Sequence, residues 1–215
     1  MKKISILLII ALLSSLLCSC QLYDVTKTIL DKNKAWNEDA AANERIDPHG
    51  TINGYLYTNE LLGLNYRIDS SWGYYDGEKA LAYLGLSEDD LTEYEFFDVL
   101  ASDTYYNNNM SVYFRNIGTE QMATLDMDQY LNSAFTSAED RLTGLGYKII
   151  NSKITDVNLD GKKLDAIYFS CDNAGLNTYC VQIIFPCKGY IVHITVNTTG
   201  SDTTADVLDN FYWLD

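Results

Sequence analysis

Asp156, Asn158 and Asp160 carry side-chain oxygens at alternate positions and run into Gly161, the spacing with which a calcium-binding loop opens. The pattern then fails. Lys163 stands at the eighth position and Ile167 at the twelfth, where such a loop supplies a bidentate glutamate. We expect a hairpin turn over Asn158-Leu159-Asp160-Gly161, with a positive φ at Gly161; calcium binding by Asp156, Asn158 and Asp160 is its alternative. The chain has two histidines. His193 falls on the strand face opposite Val192, Ile194 and Val196, which predicts an exposed or half-buried sheet residue rather than a catalytic base, and His49 falls in a linker. With no Gly-x-Ser-x-Gly, His-Glu-x-x-His, Cys-x-x-Cys or phosphate-cradling glycine loop, nucleophilic, zinc and nucleotide chemistry lack their usual scaffolds. No cofactor is expected apart from the calcium alternative. Glu88, Asp89, Asp90, Glu93, Glu95 and Asp98 read as a solvated acidic face. Tyr105, Tyr106 and Asn107 sit in a loop tip whose composition suits contact surfaces, because tyrosine offers area and a hydroxyl at low entropic cost.

The one cysteine with a chemical address is Cys20. Lys2 and Lys3 precede an uncharged apolar run from Ile4 to Leu17, too short for a comfortable membrane span, which is the anatomy of a secretory signal. Leu17-Cys18-Ser19-Cys20 resembles the lipobox of bacterial lipoproteins, with an aliphatic residue three before the cysteine and a small residue just before it. Cys18 fits worse, since Leu17 would occupy the small position. Residues 1–19 are thus expected to be a lipoprotein signal peptide and Cys20 the lipidated first residue. Several acyl chains at about 0.8 kcal/mol per buried methylene give lasting attachment.

Composition narrows the partners. Thirty acidic against fifteen basic residues give a net charge of −15, and the mature chain loses Lys2 and Lys3 as well. Such a surface repels phosphate backbones and anionic headgroups, which argues against nucleic acid. Cys171, Cys180 and Cys187 are the remaining mature cysteines, so at most one internal bridge forms. Cys171 and Cys180 could meet across a hairpin, but buried free thiols are the plainer reading.

The elements that must position these groups follow in order. Residues 20–50 read as the anchor cysteine and a spacer, on the order of 30 Å long if coiled, and residues 51–215 as a single domain. Tyr55 and Tyr57 belong to one strand, and Leu64, Tyr66 and Ile68 share a face of the next. Glu78–Tyr83 and Ser87–Tyr94 read as short helical pieces, Glu95–Ala101 and Met110–Ile117 as strands. Met127, Leu131, Ala134, Ala138 and Leu142 recur at helical spacing behind the capping pair Asp126 and Gln129, and Gly144 and Gly146 stop that helix. Four strands follow as an antiparallel meander, Tyr147–Val157, Leu164–Cys171, Thr178–Phe185 and Tyr190–Asn197. Ser201 and Asp202 open a last helix on which Ala205, Leu208, Phe211 and Tyr212 would face the sheet.

This order resembles the PsbP-like domains, particularly those of small clostridial lipoproteins. The residues that carry the resemblance are Tyr57-Thr-Asn-Glu-Leu-Leu-Gly-Leu-Asn-Tyr66, Trp72 and Asp128-Gln-Tyr-Leu131. The chain departs from the pattern at Ser70-Ser71, where a proline often precedes the tryptophan. The resemblance implies an α+β fold, an α-β-α sandwich around a central antiparallel sheet, and an accessory, docking or ligand-binding role. The expectation is a non-catalytic, lipid-anchored, extracytoplasmic domain. It would reach the membrane through Cys20 and meet an unidentified protein or small ligand through residues such as Trp72, Tyr105, Tyr106 and Asn107. The alternatives are an envelope-acting hydrolase built from scattered carboxylates and a calcium-dependent binding module.

Overall fold

The computed structural model describes residues 47–84, 86, 91–92, 94–105 and 107–214. Their elements are β1 Thr51–Asn53, β2 Leu56–Asn59, β3 Leu64–Arg67, β4 Trp72–Asp76, α1 Gly77–Leu84, β5 Glu95–Asp103, β6 Asn109–Asn116, α2 Thr119–Thr124, α3 Met127–Gly144, β7 Lys148–Leu159, β8 Lys162–Asn173, β9 Leu176–Cys187, β10 Tyr190–Thr199, α4 Thr204–Leu208 and β11 Phe211–Trp213. The predicted helix at Ser87–Tyr94 falls largely outside the described residues.

Two antiparallel sheets form, one in the order β1-β2-β3-β11 and one in the order β4-β5-β6-β10-β9-β8-β7. The predicted meander is β7 to β10. Its three turns are Asp160-Gly161, Ala174-Gly175 and Lys188-Gly189, and both residues of each have positive φ. Such two-residue turns match the right-handed twist of the strands they join. The long helix also starts where its cap predicts, with Asp126 Oδ1 accepting from the Gln129 amide at 3.0 Å.

The large sheet has different covers on its two faces. On one, Val112, Phe114, Val192, Ile194 and Val196 meet Tyr57, Leu64 and Tyr66 of the small sheet, along with Val207, Leu208 and Phe211. Each such side chain, fully buried, contributes roughly 1.5–3 kcal/mol. On the other, α1 lies over Phe97, Leu100 and Tyr113, and α3 lies over Ile167, Phe169, Ile184 and Ile191. The fold is α+β, but among the described residues one outer layer is a second sheet with a short helix rather than a helical layer.

Two expectations are corrected. Phe211 and Tyr212 are not helical. The Asn210 side chain donates to the Asp206 and Val207 carbonyls at 3.0 and 3.4 Å, α4 stops, and Phe211–Trp213 pairs with β3. His193 is buried, 5% exposed, because helices cover the face on which alternation places it.

Candidate functional site

Alternation along β5, β6, β9 and β10 puts four ladder rows on the helix-covered face. They run Glu95–Arg115–Ile191, Phe97–Tyr113–His193–Ile184, Leu100–Ser111–Thr195–Gln182, and Ser102–Asn109–Asn197–Cys180. Where these rows end in Phe97, Leu100, Ile184, Ile191 or Cys180, they join the clusters under α1 and α3. Their middles are polar, so a buried polar seam runs along β6 and β10 between the two apolar patches.

At one end of the seam the charges are matched. Glu95 accepts from the Thr92 amide and hydroxyl at 3.2 and 2.9 Å and faces Arg115 Nε at 3.6 Å. Burial alone would lower the Arg115 pKa, but the neighbouring Tyr130, Glu95 and Tyr113 together hold it above its ordinary value. Burial pushes the Tyr113 and Tyr130 hydroxyls up. Tyr130 on α3 hydrogen-bonds His193 Nε2 at 3.2 Å, and the Tyr113 ring stands edge-on to the imidazole at 5.4 Å. Burial, with Arg115 nearby, lowers the His193 pKa to about 3 and keeps the ring neutral.

At the other end the polar groups are not all matched. Asn197 Nδ2 donates to Asn109 Oδ1 at 3.0 Å and Gln182 Nε2 to Thr195 Oγ1 at 3.3 Å. Asn109 Nδ2, Asn197 Oδ1, Thr178 Oγ1, Thr199 Oγ1 and His193 Nδ1 are buried with no hydrogen-bond partner in the chain. Thr178 and Thr199 are ladder partners in the row beyond Asn197. A buried unmatched polar group costs about 1–3 kcal/mol. Five on one face of one sheet is a concentration that packing alone does not reward.

Among the described residues, the opposite face buries one charged side chain, Asp98. Its side chain, 2% exposed, accepts from the Tyr57 hydroxyl, from Asn59 Nδ2 at 2.9 Å and from the Gly50 amide at 2.9 and 3.0 Å, with His49 Nδ1 at 3.6 Å. It sits at the register shift between Phe97 and Val99, where a bulge re-aims the side chain. Only glycine fits at residue 50, since a Cβ there would lie 2.3 Å from the Tyr57 ring. Asp98 thus ties Asp47–Gly50 to the sheet, and Asn59 Nδ2 adds a bond to the Pro48 carbonyl at 2.8 Å. Glu95 and Asp98, the acids of β5 with the most buried side chains, point to opposite faces.

Trp72 is half-buried against the core between the sheets. The Thr104 amide donates to the Ser71 carbonyl at 2.8 Å, so Trp72 and the β5–β6 turn share one end of the large sheet. In that turn Tyr105 is 80% exposed, and the Asn107 amide is held by Asp103 Oδ1 at 2.8 Å. Tyr106 and Cys20 lie outside the described residues. The turn touches the unmatched end of the seam, where Asn108 Oδ1 accepts from the Thr199 amide at 3.4 Å. Asp156, Asn158 and Asp160 are each engaged separately. Asp156 faces Lys163 Nζ at 3.1 Å, Asn158 Oδ1 takes the Gly161 amide at 2.7 Å, and Asp160 Oδ2 takes the Trp213 amide at 2.9 Å. Among the described residues no three His, Cys, Asp or Glu side chains gather as a metal site. Cys171 and Cys180 are free and buried, Cys187 free and half-buried. Burial pushes the Cys171 thiol up to about 11 and Cys180 higher still.

Sequence reasoning missed Asn109, Asn197, Thr178 and Thr199. The available signal was local: β6 and β10 both read polar on the face opposite their apolar residues, and they lie at the centre of a wide sheet.

The fold and seam define an α+β protein of two stacked antiparallel sheets, with helices over the polar side of the larger. No family model and no curated protein matches the chain. Similar solved structures include a Bacteroides thetaiotaomicron protein, 9% identical with a TM-score of 0.38 over 76% of this chain and 50% of that one. The chain therefore spans about half the length of that protein. LpqN of Mycobacterium tuberculosis, described as involved in cell envelope biogenesis, is 10% identical with a TM-score of 0.37 over 71% and 83%. A Pseudomonas aeruginosa protein of unknown function is 16% identical with a TM-score of 0.32 over 72% and 85%.

Proposed function

We propose that this chain is a non-catalytic accessory domain, lipid-anchored through Cys20 outside the bacterial cytoplasmic membrane, that holds a protein or small ligand at the membrane surface. The observation that carries the binding half is the set of unmatched polar atoms at Asn109, Asn197, Thr178 and Thr199, beside the exposed Tyr105 turn. Polar atoms left unmatched in a buried sheet face cost stability, and a ligand that completes their hydrogen bonds returns that cost as affinity. The separation of Glu95 and Asp98 onto opposite faces supports binding over hydrolysis, which needs carboxylates converging on one bond. The resemblance to PsbP-like domains belongs to this proposal and agrees with an accessory role. Asp47–Gly50, pinned to Asp98, bring the chain from Cys20 into the fold.

The anchor is tested by expressing the wild-type chain and Cys20→Ala in a bacterium that processes lipoproteins. The wild-type protein should fractionate with membranes and carry a diacylglyceryl-modified Cys20 by mass spectrometry, and the variant should leave the membrane. A wild-type protein recovered unmodified in the soluble fraction overturns the anchor, and turnover of envelope glycans or peptides by the purified protein overturns the non-catalytic reading.

A further inference from the structure

The large sheet ends in two unlike edges. β4 has five residues and runs straight into α1. β7 has twelve, and among the described residues no strand pairs its outer side. A row of unpaired amides and carbonyls is a template for another strand, so proteins blunt such edges with bulges and with charged side chains, lysine above all. The bulge of β7 comes early, between Ile149 and Asn151, and a regular ladder runs from Asn151 to Leu159. Along that ladder the polar side chains are turned back onto their own chain. Ser152 donates to Glu139 of α3, Lys153 Nζ lies 5.6 Å from the centre of the Tyr168 ring on β8, and Asp156 faces Lys163 of β8 at 3.1 Å. Ile154 is left among them, 38% exposed.

The residues of this edge suit a second copy of themselves. Directly opposite residues in an antiparallel ladder share a face, so two identical strands pair with one residue set against itself. Centring the pair on Lys153 or on Asp156 opposes like charges, which destabilises a ladder. Centring on Ser152 uses only Asn151–Lys153 before the bulge intervenes, and centring on Thr155 sets Asp156 against Ile154. Centres beyond Asp156 leave Ile154 outside the pairing. Centring on Ile154 sets it against its own copy, with Lys153 opposite Thr155, Ser152 opposite Asp156 and Asn151 opposite Val157. Asp156 arrives with Lys163 beside it, so what meets Glu139 is an ion pair rather than a bare carboxylate.

We propose that β7 is a self-association edge, at which two copies of this chain join their large sheets by antiparallel β7-to-β7 pairing centred on Ile154. A single strand pair buries less than the roughly 1,200 Å² of a standard interface. The pair is therefore weak, and it forms where copies are crowded. Confinement on a membrane would crowd them, since modules on short flexible tethers meet at about millimolar effective concentration.

The register is tested by crosslinking. Full-length chains carrying Ile154→Cys, Ile150→Cys or Asn158→Cys are purified, brought to about millimolar concentration and treated with a short bis-maleimide, and dimers are read on denaturing gels. The wild-type chain, with Cys171 and Cys180 buried, gives the background. Ile154→Cys should dimerise several-fold above it. Ile150→Cys alone should stay near background although Ile150 is more exposed, at 58%, because the pairing sets the two copies of that residue about 26 Å apart. Ile150→Cys mixed with Asn158→Cys should crosslink, since these positions come opposite each other. Adding Ile154→Lys to both chains of that mixture puts like charges at the centre and should cut the mixed dimer about tenfold, with the melting temperature unchanged because the side chain lies on an exposed edge. The proposal is overturned if Ile150→Cys alone dimerises as well as Ile154→Cys, which marks random collision. It is equally overturned if no variant exceeds background, as when another segment of the chain occupies the edge, or if Ile154→Lys leaves the mixed dimer undiminished. The crosslinks are read whether or not Cys20 is lipidated, so the edge and the anchor fail separately.

Discussion

The two faces of the large sheet treat polar groups in opposite ways. Against the small sheet the packing is largely apolar, and the buried carboxylate seen there among the described residues, Asp98, is surrounded by donors that match it. Under the helices, polar residues run through the middle of the sheet, and five of their atoms are unmatched. Matched burial is how a fold holds its own chain in place; here it holds Asp47–Gly50. Unmatched burial works against the fold unless water or a ligand completes it.

That contrast can be broken or sharpened by mutation. The largest effect is expected at Phe114, fully buried between the sheets and stacked on Phe96 with ring centroids 4.9 Å apart. Phe114→Ala should cost about 4 kcal/mol in urea unfolding; a loss under about 1 kcal/mol would mean that the sheet-to-sheet face is not the main core. Asp98→Ala comes next, at about 3 kcal/mol, because it strands the Tyr57 hydroxyl, the Asn59 amide and the Gly50 amide. Hydrogen exchange at the Gly50 amide should rise with it, and unchanged exchange would dissolve the latch.

On the helical face the expected signature is pH dependence. The folded pKa of His193 is depressed to about 3, while the unfolded ring titrates near 6.5. Below about pH 6.5 the unfolded chain binds the extra proton, so stability falls as pH falls, by about 1.4 kcal/mol per unit until the folded ring titrates. At pH 5 that is about 2 kcal/mol. His193→Gln keeps a partner for the Tyr130 hydroxyl and should remove this slope relative to wild type; parallel stability curves from pH 7 to pH 4 would place the imidazole in contact with water. The smallest effect concerns the thiols. Cys171 and Cys180 should resist iodoacetamide in the native state at pH 7.5 and react only on unfolding, whereas rapid native labelling would show that the face is open.

Much of this arrangement was written locally. The meander from β7 to β10 was legible because strand alternation and turn residues such as Asp160-Gly161 act over a few positions, and α3 because Asp126 caps it from three residues away. Trp72 was singled out by its motif, and the structure puts it in packing. The last helix, expected to carry Phe211 and Tyr212, was misread at its end, because Phe211 and Tyr212 at helical spacing after Leu208 look the same locally as strand residues pairing with β3.

By itself, the sequence determined the period-two strands, the two-residue turns, the helix start at Asp126 and an acidic surface, all consequences of neighbouring residues and of composition. Only the tertiary structure decided that helices bury His193, that Asp98 meets Tyr57 and Gly50 across more than forty residues of chain, and that Asn109 lies beside Asn197 with atoms left unmatched. Which polar groups are satisfied depends on what the fold brings against them, and no local pattern carries that information.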